Sequence, residues 1–291
     1  MGERFTIDWL ALREPVDHRS RAADLLAPLG SWWRARRASR VVDLGSGAGS
    51  NLRYLAPYLG GGQHWRLVDR DARLLERAVD LGTGGLADRV RIEAVQGELI
   101  REGLEEASRA DLVTASALLD LVSRTWIERL VKTCVDARAA VLFALTWDGV
   151  IQWQSLGGST RDRKVARPPL AADARDDEFV WDAVREHQRR DKGLGPSLGP
   201  AAGRTAEQAF ATAGYRTELT GSPWVVGPSP TFEERSLALA LIKGWERAAV
   251  EQHPAEARRV RAWRTRKSRA ARTERFRLVI GHVDLLALPP P

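Results

Sequence analysis

A chain of 291 residues is long for one minimal α/β domain and short for two full ones, which favours a single domain, 1–291, carrying insertions. Its 44% hydrophobic content can build a sizeable core, and a single cysteine, Cys134, excludes both an internal disulfide and a cysteine-cluster zinc site. The net charge of +7 raises the question of nucleic acid, but only five of the 45 basic residues are lysines, an arginine skew expected of a GC-rich coding sequence.

Residues 5–38 place Trp9, Leu10 and Leu12, then Leu25, Leu26 and Leu29, at helical spacing, with Pro15 interrupting them; 1–39 is read as a helical cap. Val41 to Leu44 is a short buried strand. It runs into Gly45-Ser46-Gly47-Ala48-Gly49-Ser50-Asn51 and a helix carrying Leu52, Leu55 and Leu59. Glycines at 45, 47 and 49 permit positive φ and let a ligand touch the backbone, while N–H groups at the helix start favour an electron-rich group. Asp43 discriminates between ligands. A carboxylate ending the strand repels a pyrophosphate and welcomes a ligand carrying an amine and a sulfonium. The next strand, 64–69, ends in Asp69, placed to accept two hydrogen bonds from a ribose diol.

Hydrophobic strand, acid, GxGxG, helix, then a strand ending in an acid, continued by Val68-Asp69-Arg70-Asp71 and Leu74-Leu75: this run resembles the class I S-adenosylmethionine-dependent methyltransferases. The resemblance covers 40–145 by specific motifs and the remainder by topology. It implies an α/β fold, a Rossmann-like seven-stranded sheet, mostly parallel with the last strand antiparallel, helices on both faces and helical insertions. It also implies S-adenosyl-L-methionine as cofactor, S-adenosyl-L-homocysteine as product, and no metal. The expected cofactor-binding set begins with Asp43, Gly45, Ser46, Gly47, Gly49, Asn51, Asp69 and Arg70. The N-terminal helices of related folds cross the cofactor cleft, which brings Arg13 or Arg19 to the methionine carboxylate.

Beyond the second strand, a helix over 72–81 leads to a third strand over 89–95 and then Gln96-Gly97-Glu98-Leu99. By the resemblance, Glu98 accepts from the adenine amine and the Leu99 backbone meets the ring; the family more often has Asp at this acid. The fourth strand, 110–116, precedes a helix over 124–136. The resemblance puts Ser116, Leu119 and Asp120 beside the methyl group and leaves Leu118 and Leu121 to packing. A fifth strand over 140–145 completes the cofactor core, 40–146, and delivers Thr146, Trp147 and Asp148 to the ligand edge of the sheet.

From 147 to 203 a polar insertion is read as a lid, with a helix over 176–189. His187 to Lys192 then meets a Gly/Pro loop of the kind that places side chains in a site. The C-terminal part, 204–291, begins with a helix over 207–213. A sixth strand over 215–226, bent at Gly221, follows it. The last strand, 276–287, is placed antiparallel between strands five and six by the resemblance. Between these, 231–272 is a helical insertion split near His253-Pro254, and its second helix carries Arg258, Arg259, Arg261, Arg264, Arg266, Lys267, Arg269 and Arg272. Helical spacing does not allow 258, 261, 264 and 269 to share one narrow face.

Methyl transfer from a sulfonium is an in-line displacement, so alignment in a water-poor pocket supplies much of the acceleration. A base is needed only if the acceptor arrives protonated; His187 is the histidine best placed by sequence, and Asp120 can orient an amine or hydroxyl. No Asn/Asp-Pro-Pro-aromatic run follows the fourth strand, and there is no Pro-Cys nucleophile for pyrimidine attack. The expectation is a methyltransferase acting on a small molecule. The alternatives are an RNA methyltransferase docking through 258–272 and a non-catalytic scaffold of the same fold. No apolar run reaches membrane-span length and no signal-peptide pattern opens the chain, so a cytoplasmic protein without a membrane partner is expected.

Overall fold

Strict alternation along three strands sets the architecture. Val42, Leu44, Val113, Val141 and Phe143 point to one core, while Val41, Leu112, Ala140 and Leu142 point to another. Side chains two apart share a face of a strand, so a sheet buried on both sides needs this near-continuous apolar run. The computed structural model describes residues 6–86, 89–156, 171–191, 193–273 and 275–291. Part of the expected lid, 157–170, and Lys192 lie outside them.

Helices α1 (Ile7–Ser20) and α2 (Leu26–Arg36) precede β1 (Arg40–Leu44), α3 (Ser50–Leu59), β2 (Gln63–Asp69), α4 (Ala72–Leu86) and β3 (Val90–Gln96). The chain continues through α5 (Leu104–Ala107), β4 (Leu112–Ser116), α6 (Arg124–Ala137), β5 (Ala140–Leu156), α7 (Ala171–Gln188) and α8 (Ala202–Thr212). It ends with β6 (Arg216–Gly221), β7 (Trp224–Val226), α9 (Phe232–Gln252), α10 (Ala257–Thr273) and β8 (Arg275–Leu288). Strand order is β3-β2-β1-β4-β5-β8-β6, with β7 pairing β8. Strands β1 to β5 pair in parallel, and β8 runs antiparallel to β6 and β7. This is the Rossmann-like order: the chain builds outward from β1 to β3, then reverses to β4, opening a crevice at the carboxyl ends of β1 and β4. Helices α2, α3 and α4 supply Trp33, Leu55 and Leu75 to one core; α5, α6 and α8 supply Leu104, Trp126 and Phe210 to the other.

Several boundaries differ from the sequence reading: α4 runs on to Leu86, α7 begins at Ala171 and α8 at Ala202, and three further differences follow. Helix α1 runs through Pro15, because burial of Val16 and Asp17 and the Arg13–Asp17 pair hold the turn that proline weakens. Strand β5 is 17 residues long and extends well past 145. The expected sixth strand breaks at Ser222-Pro223 into β6 and β7, since proline has no N–H for the ladder, which gives eight strands.

The chain gathers into two compact units, one of Met1–Asp148, Asp191–Ser222 and His282–Pro291, the other of Gly149–Arg190 and Pro223–Gly281. In the second, Trp181 meets Trp245 and Trp263 edge-on at 4.8 and 5.6 Å, and Trp153 stacks on Phe276 at 4.6 Å. Asp177, buried there, accepts from Trp263 Nε1 at 2.7 Å and from Lys267 Nζ at 2.6 Å. No described helix is long and apolar enough to cross a membrane.

Candidate functional site

The turn after β1 is built by backbone bonds that only its glycines permit. The N–H groups of Gly45 and Ser46 both donate to the Val68 carbonyl, at 2.9 and 3.1 Å. Gly45, Gly47 and Gly49 have φ of 64°, 52° and 77°, a region that side chains other than glycine rarely adopt. At Gly49 a Cβ would also lie 3.0 Å from that of Ala78 in α4, so this glycine serves helix packing. The Gly47 N–H donates to Asp69 Oδ2 at 2.9 Å, and the Asp71 N–H to Asp69 Oδ1 at 3.0 Å, which orients the acid ending β2.

A cavity of about 210 Å³ opens here, entirely within the first unit. Arg13, Gly45, Gly47, Asp69, Arg70, Glu98, Leu99 and Ser116, all expected from the sequence, line it. Leu10, Leu74, Leu118, Leu121 and Leu194 add an apolar wall, with Asp71, Gly97, Ala117 and Gly193. A smaller recess of about 60 Å³ shares Leu10, Arg13, Gly45, Gly47 and Ser116 with it and adds Asp43, Ser46 and Asn51.

Asp43 is fully buried. Its Oδ1 accepts from Asn51 Nδ2 at 2.8 Å, while its Oδ2 and the neighbouring Ser46 Oγ have no hydrogen-bond partner among the described residues. Burial pushes the Asp43 carboxyl up to about 7, against the opposing pull of the Asn51 hydrogen bond and the Arg21 charge; nearby Asp69 adds to the rise. The other acids around the recess are matched. Asp17 pairs with Arg13 at 2.8 Å and Glu14 with Arg53 at 2.6 Å. Asp284, behind Asn51, pairs with Arg21 at 3.2 Å. Asp43 alone of these four acids takes only a neutral donor.

Several expected site residues lie elsewhere, Arg19 and Leu119 among them. Gly49 lines neither cavity. Asp120 is buried in the short helical turn Leu119–Leu121; Leu118 and Leu121, read from sequence as packing, line the cavity instead, while Leu119 joins the core. Turn geometry after β4, with Ala117 at φ 53°, decides which of these leucines faces outward, and periodicity carries no signal for it. His187 belongs to the second unit, where its Nε2 lies 3.1 Å from Glu251 Oε2. From the same stretch of sequence, Gly193 and Leu194 do line the cavity. Asp191 Oδ1 holds their loop by accepting from the Gly193 and Gly195 N–H groups at 2.7 and 3.0 Å, and the Leu198 N–H donates to Val122 O at 2.9 Å.

No protein-family model and no curated protein matches the chain. Among solved structures it is similar to an S-adenosylmethionine-dependent methyltransferase from Geobacter sulfurreducens in complex with S-adenosyl-L-homocysteine. That match has 16% identity over 93% of this chain and 92% of that one, at a TM-score of 0.42. It is also similar to one from Thiobacillus denitrificans, with 17% identity over 98% and 100% at 0.40. A geranyl diphosphate methyltransferase in complex with GPP and sinefungin is similar at 13% identity over 87% and 71%, with a TM-score of 0.40. Likeness this faint assigns no activity to this chain.

Proposed function

We propose that this protein is an S-adenosyl-L-methionine-dependent methyltransferase with a small-molecule acceptor. The observation that carries the reading is Asp43, a buried acid whose second oxygen has no donor and which makes no ion pair among the described residues, beside a glycine turn that ends next to Asp69. A pyrophosphate fits poorly against that acid, whereas a ligand with an ammonium at one end and a ribose diol further along meets both.

Asp43 receives the amino group and Arg13 the carboxylate of the methionine end. Asp69 already accepts one backbone N–H on each oxygen, and a carboxylate has roughly four acceptor positions, so each oxygen retains one for a ribose hydroxyl. Glu98 and the Leu99 backbone meet the adenine. S-adenosyl-L-methionine, when bound, supplies a methyl group on a positively charged sulfur. Leu10, Leu118, Leu121 and Leu194 keep water from the cavity, and the alignment they enforce is the chain's main contribution to rate. Among the described lining residues there is no histidine, lysine, cysteine or tyrosine, which suits an acceptor arriving with its lone pair available. His187 and Asp120 are not assigned a proton-transfer step.

A second reading, an RNA acceptor, draws support from α10. That helix contains no acid, and three of its arginines are matched by neighbours: Arg259 with Asp176 at 2.7 Å, Arg266 with Asp173 at 2.9 Å, and Arg264 with Glu246 at 3.3 Å. Arg258, Arg261, Arg269 and Arg272 are exposed and fall within roughly 80° of one another at helical spacing. With Arg264 turned aside, the remaining arginines form a stripe of the kind that meets phosphates.

Labelled methyl transfer separates the readings: incubation with S-adenosyl-L-methionine should label a component of a metabolite extract and leave total RNA unlabelled. Label in RNA, together with affinity whose salt slope falls by about one unit per neutralised stripe arginine, would replace the first reading by the second.

A further inference from the structure

Arg21, at the carboxyl end of α1, is 8% exposed and sits between two parts of the first unit that are far apart in sequence. Its Nε donates to Asp284 Oδ2 at 3.2 Å and its Nη1 to Asn51 Oδ1 at 2.8 Å, while the guanidinium carbon lies 4.5 Å from the Tyr54 ring centroid. Asp284, 1% exposed, is itself held by the N–H groups of Ala22 at 3.1 Å and Leu145 at 2.7 Å, and by the Ser222 hydroxyl at 2.5 Å. Four donors on one carboxylate leave Arg21 no competing position.

The direction of every hydrogen bond leading to Asp43 then follows. A guanidinium only donates, so Asn51 must turn its carbonyl oxygen toward Arg21. The Thr114 hydroxyl gives its proton to the Leu142 carbonyl at 2.7 Å, so on its other side it accepts, from Asn51 Nδ2 at 2.9 Å. Both ends of the chain force the Asn51 amide nitrogen toward Asp43, whose Oδ1 it occupies. With Oδ1 taken, Oδ2 is the oxygen that remains. The buried charges of Arg21, Asp284 and Asp43 sum to one negative, which a single cation at the recess balances.

We propose that Arg21 is a positioning residue for the cofactor's amino group: locked by Asp284, it fixes the Asn51 amide and thereby presents Asp43 Oδ2 to that group. This rests on the S-adenosylmethionine reading above, and the two can fail separately.

The test compares two ligands by calorimetry. S-adenosyl-L-homocysteine carries the amino group; 5′-methylthioadenosine has the adenine and ribose but lacks the whole amino-acid end. In Arg21→Met, affinity for the first should fall by about tenfold or more, the scale of one charge-assisted hydrogen bond, while affinity for the second stays within about twofold. If Arg21→Met does not fold, Arg21→Met combined with Asp284→Asn removes both buried charges together and should show the same selective loss. Parallel loss of both ligands, or unchanged S-adenosyl-L-homocysteine affinity in either folded variant, overturns the proposal. A wild-type protein that binds neither ligand overturns the cofactor reading and this proposal with it.

Discussion

Two buried aspartates, one in each compact unit, have opposite surroundings. Asp177 in the second unit has a Trp263 indole N–H on one oxygen and the Lys267 ammonium on the other, so its hydrogen bonds and its charge are both met from within the chain. Asp43 in the first unit has an amide on one oxygen and, among the described residues, no donor on the other and no ion pair. Both carboxylates are buried, Asp43 the more completely, and a buried charge needs partners. The difference teaches that a buried acid whose partners are complete holds the fold together, whereas one left incomplete beside a recess is waiting for a ligand.

The largest effect expected from this contrast is in the second unit. Lys267→Met leaves Asp177 charged and uncompensated, and breaking such a pair costs about 3–5 kcal/mol of stability, read from urea unfolding. A loss below about 1 kcal/mol would show that Asp177 is no more satisfied than Asp43 and would erase the distinction.

Next is the ligand side. Asp69→Ala removes two charge-assisted bonds and should weaken S-adenosyl-L-methionine binding by roughly 2–4 kcal/mol. Calorimetric affinity within about threefold of wild type, under 1 kcal/mol, rules the ribose assignment out.

The smallest and most diagnostic change is Asp43→Asn, expected to lower cofactor affinity by about 1–2 kcal/mol yet stabilise the ligand-free protein. The sign follows from its raised carboxyl, about 7 against an ordinary 3.8. The native state holds this proton more tightly than the unfolded chain does. Its contribution to stability is therefore full below the ordinary value and is lost as pH rises toward 7. Thermal melts of ligand-free wild type should fall relative to the variant across that window, and wild-type affinity for a cationic ligand should tighten over it. Parallel melting curves for the two proteins would remove Asp43 from this role.

Much of the site was legible because it is local. Asp43, the glycine turn and Asp69 lie within one β-turn-α-β stretch, and Arg70, Glu98 and Ser116 follow at strand ends, where period-two patterns stop. Helices α9 and α10 were equally readable, since Pro254 and an unbroken helical period mark them. What stayed hidden depends on distance or on turn geometry. Leu118 and Leu121 are indistinguishable from Leu119 until the turn after β4 aims them. The reach of β5 past 145 follows from a partner strand near the other end of the chain. Likewise, the arginine stripe of α10 emerges only once Arg264 is seen to turn toward Glu246. No periodicity links Arg21 to Asp284, which are 263 residues apart.

That separation bears on how the protein is made. Strand β8, which carries Asp284, slots between β5 and β6 rather than adding at an edge, so the sheet stays open between them until this segment is available. Contacts that span most of a chain pay their loop-closure entropy before they return any stability, and they form late. On the ribosome, the nascent protein carries its glycine turn and both strand-end acids long before residue 284 emerges. During that interval Arg21 lacks its Asp284 anchor, and Asn51 is held from the Thr114 side alone. If Arg21 positions the cofactor's amino group as proposed, a chain that has not yet paired β8 holds that group weakly.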